Sequence, residues 1–386
     1  MQSMIRRFLP SLLLAAACLL WATQGFTQVS IQATPDAGLQ PRLIQGDDGS
    51  THLLYFRKRI DRPGAREGNL YYRPYDSESL QFGTRVRVSN QAFALQSYAI
   101  ARAAMAMDAA GRLHVLWYIP RDSAFYYTRS NVERTLFEPQ RLIVQEYVEG
   151  IDAGGDIAAF GDKVAIIWGA GDLSDEASRT MFARFSDNGG ASFGAETMVS
   201  NPDLGACACC SMAADYLDAQ KLLVAYRSAI DSIGRHMQLL TIRQNAREAS
   251  GASYGRLAAL QEWEASFCPL STNDIASTVT HNQRLVFETE GRIIEMALPD
   301  GERRAVAAPF TETRQKNPAV AVNEDGLRLI VWAEAISHTR GGRLNMRLLN
   351  EQGIVAGFQF EDQIRIPDFS FPATAALPNG TFLVLY

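Results

Sequence analysis

One pattern recurs along this chain. A short run of small residues meets a turn built on Gly, Asp or Asn, and an unbroken apolar run ending in an aromatic follows. The clearest copies are "DDGSTHLLY" ending at Tyr55, "AAGRLHVLW" at Trp117, "EDGLRLIVW" at Trp332 and "PNGTFLVLY" at Tyr386. Looser copies end at Trp168, Tyr226 and Phe287. Small residues before the turn and β-branched or leucine-rich residues after it predict a hairpin covered on both faces. Two more alternating segments follow each hairpin, as "AFYYTRS" and "PQRLIV" follow Trp117, and predict two outer strands.

Successive terminal aromatics lie 62, 51, 58, 61, 45 and 54 residues apart, close to the period of four-stranded propeller blades. Helical periodicity is nearly absent, which disfavours a doubly wound α/β fold. An all-β propeller of six or seven four-stranded blades is predicted, with seven favoured by the hairpin count. The last repeat stops at Tyr386 after its second strand, so closing a seven-bladed ring would need "QVSIQA" on the outside of that blade. A single propeller domain over residues 27–386 is expected, since no Pro/Ser-rich linker or charge block divides the chain.

The first 26 residues change the picture of where this ring works. Arg6 and Arg7 precede an apolar run from Leu12 to Ala22 and then small and polar residues, the build of a cleaved secretory signal. Cys18 is a poor lipoprotein cysteine, because "LLWA" continues the apolar run after it. A periplasmic or secreted protein is expected, monomeric and with no transmembrane anchor in its mature part. Removing the signal leaves 35 basic against 42 acidic residues, which argues against nucleic acid as a partner. Only Lys58, Lys163, Lys221 and Lys316 are lysines. The arginine excess suits carboxylate recognition and equally fits a compositional bias.

Residues 185–194, "FSDNGGASFG", resemble the Asp-box of bacterial sialidase-like propellers, S-x-D-x-G-x-x-W/F. Ser186, Asn188, Gly190 and Phe193 would occupy its positions, with Asn188 replacing the usual aspartate while keeping its turn chemistry. "CACC" before "LLVAYR", then "CPLST" and "FETEGRI", is similar to secreted bacterial proteins of the same sialidase-like, BNR/Asp-box type. The resemblance implies the fold and a structural role for the box. It implies exo-sialidase activity less well. Sialidases clamp a carboxylate with three arginines and pair a late tyrosine with a glutamate. Here the first-blade triad position falls on Leu39, two residues before Pro41, with Arg42 nearby, and no tyrosine lies between Tyr254 and Tyr386. If the chain is a glycoside hydrolase with altered residues, its carboxylates would be drawn from Asp152, Asp156, Glu288 and Glu290.

Apart from Cys18 the cysteines are Cys207, Cys209, Cys210 and Cys268, and each group directly precedes a predicted innermost strand of consecutive blades. Both groups should therefore meet at the mouth of the central channel. Three readings stay open: disulfides, with a bond from the cluster to Cys268 the best pairing; a soft-metal site for Cu or Zn; or a reactive thiol. Arg227 and Arg235 fall on the same rim. They would either grip an anionic small molecule or glycan or serve as salt-bridged loop residues. The histidines His52, His114, His236, His281 and His338 have no metal-ligand spacing. His52 and His114 each stand three residues before a terminal aromatic, so the repeat itself accounts for them. A binding module with its site at the channel mouth is the leading expectation, and a glycoside hydrolase the competing one.

Overall fold

A computed structural model describes residues 29–61, 66–95, 102–152, 154–243, 256–270, 272–276, 283–308, 312–337, 339–353, 360 and 363–386. The proposed signal, His281 and His338 lie outside the described residues. Seven antiparallel-built sheets follow one another in chain order and form a seven-bladed β-propeller. The innermost strands are Leu39–Gln45, Ala104–Met107, Gly155–Phe160, Ala213–Asp218, Asn273–Ala276, Arg314–Val322 and Ala373–Ala376. Each packs against the next around the ring. These are the small-residue runs, and crowding seven strands about one axis explains why: Ala106, Ala158, Ala214, Ala276, Ala321 and Ala375 line the channel.

The second strand of each blade carries the apolar run. Leu113–Ile119, Lys163–Ala170 and Arg328–Ala335 are buried almost throughout, wedged between neighbouring blades. Trp117, Trp168 and Trp332 fill the same position in three of them and are fully covered. Burying these large rings contributes apolar stabilisation to the contacts of those three blades.

The last blade is built as the seven-blade reading required. Val29–Gln32 pairs in parallel with Phe382–Leu385, in the register Val29 to Phe382, so the two ends of the chain complete one sheet. Four strands per blade is not uniform. The sixth and seventh sheets contain three strands among the described residues, and the first contains six because three two-residue strands edge its third strand, Glu67–Asp76.

Residues 185–194 form the turn after Thr180–Ser186 and lead to the outermost strand Thr197–Met198. The Ser186 hydroxyl accepts the Gly190 N–H at 3.0 Å, and the Asn188 side chain accepts the Ser192 N–H at 3.0 Å. Gly190 has φ of +69°, and a Cβ there would run into the Tyr127 hydroxyl of the preceding blade. Phe193 stands edge-on to Tyr127 at 5.1 Å. The turn thus docks one blade on the next, far from any reacting group.

Candidate functional site at the channel mouth

The innermost strands enter the ring at one end, and their first residues form its throat. Arg42 lies in the first inner strand, just past a bulge between Leu39 and Arg42. Arg102 stands two residues before the second inner strand, and Asp156 and Asp274 are each the second residue of theirs. Both carboxylates use one oxygen in the same way, accepting an N–H from the next blade: Ala214 at 2.8 Å for Asp156, Val320 at 3.0 Å for Asp274. The second oxygen of Asp274 pairs with the Arg42 guanidinium at 2.6 Å, tying the fifth blade to the first. Below them runs a channel cavity of about 210 Å³.

Two arginines and two aspartates meet in this throat, and burial weighs on them unequally. Burial pushes the Asp156 carboxyl up despite Arg42. Arg102 is pushed down to about 10, first by burial and then by the like charge of Arg42. Its guanidinium lies over the Phe371 ring at 5.0 Å. Arg42 itself is held as a cation against burial by Asp274 and Asp156.

Beside the throat sits the cysteine loop. Cys209 is bonded to Cys268, with the Cα atoms 6.3 Å apart, which staples the loop entering the fourth blade to the loop entering the fifth. Cys207 and Cys210 keep their thiols and are buried. The Cys207 sulfur lies 3.0 Å from that of Cys210 and 3.4 Å from that of Cys209. The three sulfurs of Cys207, Cys209 and Cys210 are within 4.8 Å of one another, but that of Cys209 is spent in the disulfide, which leaves the Cys207 and Cys210 thiols to hold an ion. The Cys207 thiol is pushed up by burial and then by its bond to Cys210.

The loop is gripped from three sides. Cys207 N–H donates to the Arg227 carbonyl at 2.9 Å, and Ala208 N–H to a Glu176 carboxylate oxygen at 2.9 Å. Arg179 donates to the carbonyls of Ala206, Gly150 and Gly171. Gly154 keeps its Cα open because a Cβ would stand 2.8 Å from the Cys210 carbonyl.

Arg227 and Arg235 are both buried within this support. Arg227 donates to the carbonyls of Arg235 and Glu288 and lies over Trp263 at 4.9 Å. Arg235 pairs with the other Glu176 oxygen at 2.5 Å. Of the proposed carboxylates, Asp156 is in the throat, while Asp152 lines a small cavity behind the cysteines. Glu288 is buried beside Lys316 at 3.2 Å, and Glu290 occupies the tight turn between Arg284–Thr289 and Arg292–Ala297 at φ of +52°. His236 accepts the Trp263 N–H through Nδ1 at 3.0 Å. His52 and His114 bond Tyr72 and Tyr127 through Nδ1 at 2.9 and 2.8 Å, at matching places in the first two blades. The sequence reading passed over Arg102 and Asp274. Their signal was positional: each flanks a small-residue strand, as Asp156 does.

No family model matches the sequence, and no curated protein is significantly similar to it. Solved structures match by fold. A protein of unknown function from Dyadobacter fermentans superposes with a TM-score of 0.51 at 10% identity, over 83% of this chain and 96% of that one. The Hadza microbial sialidase Hz136 superposes with a TM-score of 0.50 at 10% identity, over 83% of this chain and 67% of that one. The Penicillium chrysogenum α-L-arabinanase, at 0.48 and 13% identity, covers 85% and 99%. The class defined by the fold is therefore a sialidase-like β-propeller, and identity this low carries the fold alone.

Proposed function

We propose that this chain is an exported binding module of sialidase-like fold that receives an anionic small molecule, or the acidic end of a glycan, at the throat of its channel. The placement of Arg102 beside Arg42 carries this reading. Arg42 lines the channel cavity, and its like charge together with burial pushes Arg102 down to about 10, so an anion between the two guanidiniums would relieve both. Charge-assisted hydrogen bonds from two planar guanidiniums suit a carboxylate or phosphate. Asp274 is engaged by Arg42 and the Val320 N–H, which leaves Arg102 to meet the ligand.

Hydrolysis is the second reading, because Asp156 combines a raised carboxyl with neighbouring arginines, as a general acid would need. Against it stand Leu39, buried where the resemblance puts a substrate-clamping arginine, and Tyr386, whose carbonyl accepts the Thr34 N–H at the seam of the ring. Calorimetric titration with N-acetylneuraminic acid and with phosphate separates the two, run beside a fluorogenic sialoside assay. Saturable 1:1 binding of at least one anion, lost by tenfold or more in Arg102→Gln, is expected without turnover. Turnover that disappears in Asp156→Asn would establish the hydrolase instead.

A further inference from the structure

Behind the cysteine loop lies a small cavity of about 10 Å³, room for one water-sized sphere. Its lining residues bring together four sulfur-bearing side chains, Cys207, Cys210, Met181 and Met212. Cys207 and Cys210 stand in C-x-x-C spacing on one loop, Met212 follows on the same loop, and Met181 comes from the third strand of the preceding blade, Thr180–Ser186. Arg179 and Arg227 complete the wall on the polar side.

We propose that these four sulfurs form a buried site for one soft monovalent ion, Cu(I), and that it works with the Cys209–Cys268 bond intact. Thiolates and thioethers together select Cu(I) over harder divalent ions. Among the described residues of the wall Asp152 is the one carboxylate, so the donor set is dominated by sulfur and lacks the imidazoles common at Zn sites. Cu(I) on two thiolates leaves one net negative charge, and the Arg179 and Arg227 guanidiniums in the same wall offset it. Binding the ion through two thiolates releases two protons. The Cys207 and Cys210 sulfurs, 3.0 Å apart, must part by roughly 0.8 Å to hold an ion at metal–sulfur bonds of about 2.3 Å. The site does not depend on what the throat binds.

The test is anaerobic titration of the mature, unreduced protein with Cu(I) against a chromophoric Cu(I) chelator, followed by X-ray absorption at the copper edge. One equivalent should bind with sulfur-only coordination in the wild-type protein. Cys207→Ser should weaken binding by a hundredfold or more and the double variant Met181→Leu/Met212→Leu by about tenfold, while Cys209→Ala/Cys268→Ala keeps one ion. Circular dichroism checks that each variant is folded. The coordination seen by X-ray absorption on the wild type needs no variant and decides the matter if one fails to fold. Uptake only after reduction, uptake unchanged in folded Cys207→Ser, equal affinity for Zn, or no copper bound by the wild type would each overturn the assignment.

Discussion

His52 shows how a single buried group sets a pH response. Its ring is enclosed between strands of the first blade, bonded to the Tyr72 and Ser50 hydroxyls, and burial lowers its pKa to about 4. That value lies below the 6.5 of an unfolded chain, so the stability tied to the neutral ring is complete above pH 6.5 and is lost as pH falls through 4. Urea midpoints measured from pH 7 to 4 should therefore fall, and His52→Gln should reduce proton uptake on unfolding near pH 5 by up to about one proton. An unchanged uptake would place the response elsewhere. The histidine's structural role was legible because it repeats at the same offset in two blades. Arg102 and Asp274 carried only the positional signal of lying at the start of a small-residue strand, and that signal does not say which of the residues so placed meet across the throat. Arg227 and Arg235 illustrate the converse. Both were expected on the rim from their position after an inner aromatic, but the contacts that bury them, Arg235 with Glu176 and Arg227 with the Glu288 carbonyl, come from loops distant in sequence.

At the scale of elements, the hairpins were legible because each strand pair carries a local signal: a glycine turn, a small-residue side and an apolar side. The outer strands were less so. Arg141–Leu142 and Thr197–Met198 are two residues long and have little room for a pattern. The cysteine loops lie between these levels. Their positions before two consecutive inner strands bring them to neighbouring blades, and the Cys209–Cys268 bond closes a 59-residue span. Chain-entropy reasoning gives about 4 kcal/mol for a loop of that length. Cys268→Ser should lower the melting temperature accordingly and raise the thiol count of the denatured protein by one. A variant with unchanged melting and thiol count would mean that the two blades are not covalently joined in solution.

For the whole molecule, the ring is closed by strand pairing between its two ends, so the C-terminal strand Phe382–Leu385 has an unpaired edge without Val29–Gln32. Deleting residues 29–32 should destabilise the fold by several kcal/mol and promote association through the exposed edge, as sedimentation would detect. A monomer of unchanged stability would contradict that closure. A closed ring is also what gives the throat its rigidity: Arg42 on the first blade can meet Asp274 on the fifth only if the circle is complete. The central claim, that this throat holds an anion without cleaving it, is met most directly by calorimetric titration of wild-type protein and Arg102→Gln with N-acetylneuraminic acid and phosphate. The account predicts saturable 1:1 binding of at least one of them, weakened tenfold or more by the substitution at unchanged melting temperature. Equal binding by the two proteins, or none by either, would contradict it.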